Sequence, residues 1–369
     1  MNVDAREYDV IIIGSRVAGS ILASLLGEAG YRVLVLDRST FPSDTLSTHF
    51  FRAPALRAFD QIGALDEILA TAPRLTVNFN VIDGIVFPEP VDRPEDYPYY
   101  MCVRRVTLDA ILVRRARLFA DLREGAIATD LLQEEGRIVG VRWRGSDDEE
   151  EAMARVVVGA DGLYSFVAKQ VEPETEHIEA VHRIMYYAYF RGVPANEGPA
   201  AEFHYEGNSL AYCIPCDNNL TLLAASVPVE RFAEFKRDPE GELLRELEAM
   251  PEIRARLTDA QREGPVFGSG NIPGYLRIPY GNGWALVGDA AMVMDPWSGQ
   301  GIDQASTHAS ILARYLGEFL SGESEWENAM QTYHAERNEF SQKIYRRTCK
   351  FGADLRPMTR AALAKRGLI

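Results

Sequence analysis

The sequence predicts an α/β protein in which a parallel sheet with helices on its faces carries an inserted domain of mixed or antiparallel strands, followed by C-terminal helices. Three observations indicate this fold. An apolar strand at Tyr8–Ile13 runs into a glycine-rich turn and a helix. A second strand, Trp284–Val287, runs into Gly288-Asp289 much later in the chain. Between them, residues 181–227 become rich in aromatic side chains, which favour strands.

The first segment is a βαβ unit of the Rossmann-like type. Val10–Ile13 is apolar throughout, as in a strand buried on both faces of a parallel sheet. Apolar residues then recur at helical spacing over Ile21–Ala29, Gly30 ends the helix, and Arg32–Leu36 forms the next strand. This context turns a weak glycine motif into a prediction of dinucleotide binding.

The turn after the first strand suits a diphosphate. Gly14 permits the tight turn and Gly19 the close approach of helix to sheet, while the helix start offers free N–H groups. Asp37 is placed to accept hydrogen bonds from a ribose. Arg16 stands where the usual fingerprint has a second glycine, and we expect its backbone to contribute more than its side chain. The predicted contacts here are Gly14, Arg16, Val17, Ala18, Gly19, Asp37 and Arg38.

The second segment suits a flavin. Gly288-Asp289 is a turn aimed at a ribityl chain, and a glycine-rich helix start behind it would stabilise negative charge on the pyrimidine edge of a flavin. A plain nicotinamide enzyme needs only the first segment, so the pair predicts FAD. The predicted contacts here are Gly288, Asp289, Pro296, Gly299, Gln300, Gly301 and Ile302.

Two middle segments complete the pattern. Arg105 opens a predicted helix in Arg105-x-x-Leu108-Asp109, where it can reach a diphosphate through charge-assisted hydrogen bonds. Gly159-Ala160-Asp161-Gly162-x-x-Ser165 follows the strand Arg155–Val158.

In this order, these motifs resemble the single-component flavoprotein monooxygenases of the p-hydroxybenzoate hydroxylase type, together with geranylgeranyl reductases and flavin-dependent halogenases. The resemblance spans residues 8 to about 320. It implies non-covalent FAD, Asp289 bonded to the ribityl chain, and Asp161-Gly162 near the diphosphate in a segment also tied to NAD(P)H use. It also implies a loop over the flavin at Thr45–His49, where Ser47 and Thr48 would contact the cofactor.

The remaining pattern predicts the domain organisation. The FAD-binding domain would comprise residues 1–75, 101–180 and 265–325, the substrate domain residues 76–100 and 181–264, and a C-terminal helical segment residues 326–369. Helices are predicted at Leu56–Leu69 (interrupted at Gly63), Leu108–Leu118, within 229–262, at Asp303–Leu320 and at Glu327–Phe351. Strands are predicted within 76–100 and at Met185–Arg191, Ala201–Tyr205, Leu210–Ile214 and Leu220–Val227.

The reaction must be predicted from the inserted domain, since the flavin serves many chemistries. Candidate catalytic residues are His49, Tyr187, Tyr189 and Tyr212, with Tyr187 and Tyr189 on one face of a strand. The leading prediction is an NAD(P)H-dependent FAD monooxygenase that oxygenates an aromatic or polycyclic small molecule through a C4a-hydroperoxyflavin. A reductase of C=C bonds, like the geranylgeranyl reductases, is the alternative, and a non-enzymatic flavin module is the third class.

Other features of the sequence weigh against the halogenase and reductase reactions, a redox dithiol and a metal site. No lysine stands where the halogenase resemblance would place an active-site lysine, and Leu210 and Tyr212 occupy tryptophan positions of the halogenases and reductases. Cys213 and Cys216 are spaced like a redox dithiol, but no second dinucleotide fingerprint accompanies them. One cysteine pair supplies too few ligands for zinc, so no metal site is predicted.

The net charge and the distribution of apolar residues restrict the kinds of partner that we expect. The formal net charge of −15 argues against nucleic acid. No apolar stretch is long enough to span a membrane, and Met1–Tyr8 does not resemble a signal peptide. We therefore expect a cytoplasmic monomer or homodimer whose partner is a small molecule.

Overall fold

The computed structural model describes residues 8–91, 96–145, 148–195 and 198–369. Predictions that fall on residues 1–7, 92–95, 146–147 and 196–197, including that for Met1–Tyr8, lie outside this part of the chain.

The helices are α1 (Val17–Glu28), α2 (Ala53–Gln61), α3 (Leu65–Leu69), α4 (Arg105–Ala116), α5 (Phe166–Val171), α6 (Phe232–Arg237), α7 (Pro239–Glu248), α8 (Pro251–Arg254), α9 (Gly301–Ser321), α10 (Trp326–Gly352) and α11 (Arg356–Lys365). The strands are β1 (Tyr8–Ile13), β2 (Val33–Asp37), β3 (Phe50–Phe51), β4 (Val77–Ile82), β5 (Ile85–Pro90), β6 (Met101–Cys102), β7 (Asp121–Glu124), β8 (Ile127–Glu134), β9 (Arg137–Arg144), β10 (Glu149–Gly159), β11 (Thr175–Glu179), β12 (Arg183–Arg191), β13 (Ala200–Glu206), β14 (Ser209–Pro215), β15 (Thr221–Pro228), β16 (Gln261–Ser269), β17 (Gly274–Arg277), β18 (Tyr280–Gly281), β19 (Trp284–Leu286) and β20 (Met292–Val293).

A parallel sheet forms the centre of the molecule. Its strand order is β18-β19-β10-β1-β2-β7, and every neighbouring pair from β19 to β7 is parallel. Four of the six residues of β1 are fully buried, as its apolar sequence predicts. Helices α1, α4 and α9 pack together on one face of this sheet through a continuous apolar core. The predicted α/β class is confirmed.

A second, seven-stranded sheet has the order β16-β12-β15-β14-β13-β4-β5. All its pairings are antiparallel except that of β13 with β4, which is the predicted mixed pattern. The side chains of Tyr187 and Tyr189 share one face, with their ring centroids 5.9 Å apart. The predicted domain boundaries stay a prediction, and the one at residue 265 falls inside β16.

Several predicted elements need correction. The single helix expected at Leu56–Leu69 is the pair α2 and α3, separated where Gly63 has a φ of +68°. The helix expected at Leu108–Leu118 begins at Arg105 and ends at Ala116. The strand predicted at Arg155–Val158 is the end of the longer β10, whose first half pairs with β9. The hairpin of β8 and β9 was not predicted, because β8 is mostly exposed and lacks a sustained apolar alternation, although its partner β9 is largely buried.

The C-terminal helices join the two sheets. Helix α10 packs along α9. Helix α11 places Leu363 against Ile82 and Phe87 of the β4–β5 hairpin, at the edge of the seven-stranded sheet. The charged side chains of Arg366 and Glu89 pair beside this contact. The predicted C-terminal helices are confirmed, whereas the boundary at residue 326 stays a prediction.

The join between β1 and α1 leaves no room for a side chain at two glycines. A Cβ added to Gly14, whose φ is +99°, would lie 2.4 Å from the carbonyl oxygen of Ala160. One added to Gly19 would lie 1.8 Å from the carbonyl oxygen of Gly14. Both contacts are with backbone, which cannot move aside without separating α1 from the sheet.

We expect Gly19→Ala to destabilise the protein by about 3 kcal/mol or more, or to prevent folding, because the new methyl overlaps backbone. The matched control is Gly317→Ala in α9, where a Cβ meets nothing within 4 Å. That change should stabilise the helix by up to about 1 kcal/mol. Denaturant unfolding of both variants measures the two effects, and a Gly19→Ala protein as stable as its parent would contradict the packing described.

Candidate FAD site

A cavity of about 680 Å³ opens where the carboxyl ends of β1, β2 and β10 meet the first turns of α1 and α9. This is the position at which open α/β sheets bind their ligands. Most of the predicted cofactor contacts line it. They are Gly14, Arg16, Val17, Ala18, Asp37, Arg38, Ser47, Thr48, Arg105, Asp161, Gly162, Gly288, Asp289, Pro296, Gln300, Gly301 and Ile302.

Two predicted contacts do not line the cavity. Gly19 lies behind Gly14 and serves the packing of α1. Gly299, whose φ is +61°, lies beside the guanidinium of Arg52. Of the four catalytic candidates, Tyr187 lines the cavity, whereas His49, Tyr189 and Tyr212 are not among its lining residues.

Asp37 fixes the turn between β1 and α1 at one side of the cavity. Its Oδ2 accepts hydrogen bonds from the backbone N–H of Ser15 at 2.7 Å and from the Ser15 hydroxyl at 2.9 Å. Its Oδ1 accepts the backbone N–H of Ser39 at 2.8 Å. A carboxylate has about four lone-pair sites, so one remains for a ribose hydroxyl.

Asp109 is the buried anion that organises the arginines of the cavity. It is fully buried, and its two oxygens bind the guanidinium groups of Arg16 at 2.5 Å and Arg105 at 2.9 Å. Arg16 also donates to the Ser43 hydroxyl and the Asp44 carbonyl, so its side chain is committed to protein partners. In Arg105 only Nε is bonded within the described residues, which leaves its Nη groups for an anion in the cavity.

Asp161 has a structural task that the sequence did not indicate. Its carboxylate accepts the Ser165 hydroxyl at 2.5 Å and the backbone N–H groups of Phe166 and Val167, so it caps α5. Burial raises the pKa of this carboxyl, while the capping hydrogen bonds oppose the rise. What faces a cofactor at this position is therefore chiefly backbone, as the positive φ of Gly162 permits.

Asp289 is the acidic group that projects into the cavity without a protein partner. Its carboxylate is accessible from the cavity, yet it forms no hydrogen bond or ion pair with the described part of the chain. Desolvation by the surrounding protein raises the pKa of this carboxyl to about 6, and the positive charge of Arg105 partly opposes this shift. A carboxylate held in this way needs a donor from a ligand, and a ribityl hydroxyl fits that requirement.

Arg52 holds the loop in front of α9, a role that no motif in the sequence indicates. Its guanidinium donates to the Gly299 carbonyl at 2.8 Å and binds the buried carboxylate of Asp303 at 2.9 Å. The backbone N–H of Arg52 donates to the same carboxylate at 2.8 Å. The first turn of α9 is thereby fixed with its free N–H groups beside the cavity.

His49, Tyr187 and Tyr189 form an aromatic group behind the loop at 44–48. The His49 imidazole, fully buried, is hydrogen-bonded through Nε2 to the Tyr189 hydroxyl. Burial, with the charges of Arg105 and Arg104, lowers the pKa of His49 to about 3, so the ring is neutral at physiological pH. The Tyr187 hydroxyl is buried without a hydrogen-bond partner in the described residues, and burial raises its pKa.

Tyr212 and the cysteines have other surroundings. The Tyr212 hydroxyl donates to the Trp297 carbonyl at 2.5 Å, which ties β14 to the loop before α9. Cys213 and Cys216 are free, and they pack in two different apolar clusters. Burial raises the pKa of Cys213 to about 12. The arrangement does not support a redox dithiol facing a flavin.

The site as a whole fits FAD. Two helix starts, the arginine Arg105, the partnerless carboxylate of Asp289 and the Asp37 turn line one cavity. The protein is thus an FAD-dependent oxidoreductase. Residues 7–267 and 276–348 match the model of a family described as "FAD binding domain", and the chain belongs to that family.

The most similar proteins catalyse different reactions. A 1H-pyrrole-2-carbonyl-[peptidyl-carrier protein] brominase of Pseudoalteromonas luteoviolacea is 23% identical, over 89% of this chain and 81% of the relative. Digeranylgeranylglycerophospholipid reductase 1 of Methanopyrus kandleri is 28% identical, over 85% and 80%. A 12-dehydrotetracycline 5-monooxygenase/anhydrotetracycline 6-monooxygenase of Streptomyces rimosus is 27% identical, over 93% and 69%.

The fold is similar to that of solved flavoenzymes. The structure of the myxobacterial chondrochloren halogenase, a variant of the FAD-dependent halogenases, superimposes with a TM-score of 0.84 at 27% identity, covering 92% of this chain and 81% of that one. The predicted family resemblance and the Rossmann-like, p-hydroxybenzoate hydroxylase-like fold are confirmed. Among the described residues, no helix combines the length and apolar character needed to cross a membrane.

The raised pKa of Asp289 predicts a pH-dependent stability of the flavin-free protein. Because the folded-state pKa of about 6 exceeds the unfolded value, stability present at low pH is lost as the pH rises through 6. We expect Asp289→Asn to stabilise the flavin-free protein at pH 8, by on the order of 1 kcal/mol after allowance for solvent screening. The gain should vanish below about pH 4, where the parent carboxyl is protonated.

Thermal unfolding across this pH range measures the effect. Flavin affinity should fall by at least about tenfold in the same variant, because a charged hydrogen bond is replaced by a neutral one. The exposed Glu134→Gln is the control for loss of one negative charge. Equal pH profiles for Asp289→Asn and its parent would show that the carboxylate is not held as described.

Proposed function

We propose that the protein is an NAD(P)H-dependent FAD monooxygenase that hydroxylates an aromatic or polycyclic small molecule. The supporting observation is that the cavity with the predicted flavin contacts also has an aromatic and apolar wall from the seven-stranded sheet and its neighbours. This wall comprises Met185, Tyr187, Ile272, Met292, Val293 and Met294. A flat apolar ligand suits such a wall, and bound FAD would supply the redox chemistry.

The chain's own groups have definable tasks in this proposal. Arg105 and the first turn of α9 favour negative charge in the cavity, where a reduced flavin carries it. The hydrogen-bonded pair of His49 and Tyr189 packs against the Tyr187 ring and would hold that ring in position at the cavity wall. The Tyr187 ring lines the cavity, and its buried hydroxyl, which has no hydrogen-bond partner among the described residues, would hydrogen-bond the substrate after a small rotation of the side chain.

Halogenation fits the cavity less well despite the halogenase relatives. The chain has five lysines, at positions 169, 236, 343, 350 and 365, and all five lie in the described residues. None of them lines the cavity. A reaction that needs a lysine beside the substrate is therefore disfavoured.

Reduction of a C=C bond is the second candidate. The reductase of Methanopyrus kandleri has an identity to this chain similar to that of the tetracycline monooxygenase. The apolar wall of the cavity would also accept a prenyl chain.

The main proposal also includes NADH or NADPH as the electron donor, a cytoplasmic location, and a monomeric or dimeric state.

Oxygen consumption distinguishes the two candidates. The flavin-loaded protein is mixed with NADH or NADPH and a panel of phenols and polycyclic aromatics, under ¹⁸O₂ and under nitrogen. We expect a substrate to stimulate NAD(P)H oxidation in the presence of oxygen and to gain one ¹⁸O atom, with the second oxygen atom released as water. Substrate reduction under nitrogen without ¹⁸O incorporation would establish the reductase instead. Failure of both nucleotides to reduce the flavin would refute the proposed electron donor.

Tyr187→Phe tests the role of the partnerless hydroxyl. Removal of a buried, unbonded hydroxyl should raise the free energy of unfolding by about 1 kcal/mol. It should lower kcat/KM by about tenfold or more if the hydroxyl binds substrate. Tyr186→Phe is the matched control, since Tyr186 lies on the opposite face of β12 against Phe235, with ring centroids 4.8 Å apart. Unchanged kcat/KM in Tyr187→Phe would exclude the role.

A further inference from the structure

A group of three metal-binding side chains lies outside the cavity. His177 and Glu179 are on β11, and Cys349 is near the end of α10. One ligand atom from each, a nitrogen, an oxygen and a sulfur, lies within 4.8 Å of the other two. In the described part of the chain, no other set of three or more His, Cys, Asp or Glu side chains lies close enough together to hold one ion.

We propose that His177, Glu179 and Cys349 form a zinc site that links β11 to α10. Nitrogen, carboxylate oxygen and thiolate sulfur are the three donor types that Zn²⁺ takes in proteins. Calcium and magnesium prefer all-oxygen sites, so the thiol and imidazole select a softer ion. Three protein ligands leave the fourth tetrahedral position to water.

The distances suit this ion after a small adjustment. With Zn–N of about 2.0 Å and Zn–S of about 2.3 Å, tetrahedral ligand atoms lie roughly 3–4 Å apart. The Nε2 of His177 already lies 3.3 Å from Oε2 of Glu179. The His177 side chain is about half exposed, so it can move the remaining distance at little cost.

Neighbouring side chains orient the proposed ligands. Nε2 of His182 lies 2.7 Å from the other carboxylate oxygen of Glu179, which fixes that carboxylate from behind. The Tyr345 ring meets the His177 ring edge-on, with centroids 5.5 Å apart. Tyr345 is 3% exposed, and its hydroxyl has no hydrogen-bond partner among the described residues. Side chains that hydrogen-bond to the ligands or pack against them are a regular part of metal sites.

The link would join distant parts of the chain. β11 pairs with β17, which pairs with β20, and Met292 and Val293 of β20 line the cavity. α10 packs along α9, whose first turn lines the cavity as well. Zinc would therefore clamp two elements that are far apart in the sequence and that support the flavin site from different sides, without touching the reactants.

The sequence could not indicate this site. The prediction that the chain has no metal site rested on Cys213 and Cys216, a pair that supplies too few ligands. His177 and Glu179 form a short His-x-Glu pattern that does not by itself indicate a metal site, and Cys349 follows much later in the chain. Only the packing of α10 near β11 brings the three together.

Metal binding to the flavin-loaded full chain tests the proposal. The protein is stripped with EDTA and titrated with ZnCl₂ by calorimetry, and in parallel with CoCl₂. We expect one zinc per chain, a higher melting temperature with zinc, and a thiolate-to-cobalt charge-transfer band. Cys349→Ser should abolish the band, and His177→Ala should weaken zinc binding by about tenfold or more.

His334→Ala is the matched control. His334 lies on α10 and pairs with Glu176 of β11 at 3.1 Å, so it joins the same two elements without a third ligand. This variant should bind zinc like its parent. Zinc binding that survives Cys349→Ser and His177→Ala, or is lost in His334→Ala, would overturn the proposed ligands, and absence of stoichiometric binding to the folded parent would overturn the site. The readouts are independent of the redox reaction, so the result does not depend on the proposed function.

Discussion

The structure depends on the contact between the β1–α1 turn and the end of β10. Gly14 touches the backbone at Ala160, and Gly19 touches Gly14, with no space for a Cβ at either position. This contact brings the carboxyl ends of two neighbouring parallel strands within reach of one ligand. It also directs the first turn of α1 towards the cavity, where its N–H groups have no partner within the helix. The cavity follows from this packing, and the polar side chains then give it chemical character.

Those side chains are held mainly by buried and half-buried carboxylates. Asp109 holds two arginines, Asp37 holds the turn at Ser15, Asp161 caps α5 and Asp303 holds Arg52. Each has protein donors, so its buried charge is compensated. Asp289 is different because its carboxylate, which also lines the cavity, has no protein donor among the described residues. The contrast separates the acids that build the site from the acid that is left for a ligand.

The sequence predicted the cofactor site better than the reactive part of the cavity, for a physical reason. Gly14, Asp37 and Asp289 are dictated by short motifs, because a diphosphate and a ribityl chain demand particular backbone turns. The partners of Arg52 and Arg16 come from packing between segments far apart in the chain, which no local pattern records. Likewise, Tyr187 could be assigned to a strand face, but that its hydroxyl lacks a partner depends on every neighbouring element.

The strand order of the parallel sheet has a consequence for biosynthesis. β1 lies between β2 and β10, and β10 in turn needs β19, which begins at Trp284. The edge strand β5 is covered by Leu363 of α11, near the end of the chain. While the ribosome is still making the middle of the chain, β10 therefore lacks its neighbour β19, and the edge strand β5 is uncovered. Long-range pairing of this kind folds slowly and exposes strands that other chains can join. Because the cavity also needs the first turn of α9, flavin capture must wait until that helix has left the ribosome.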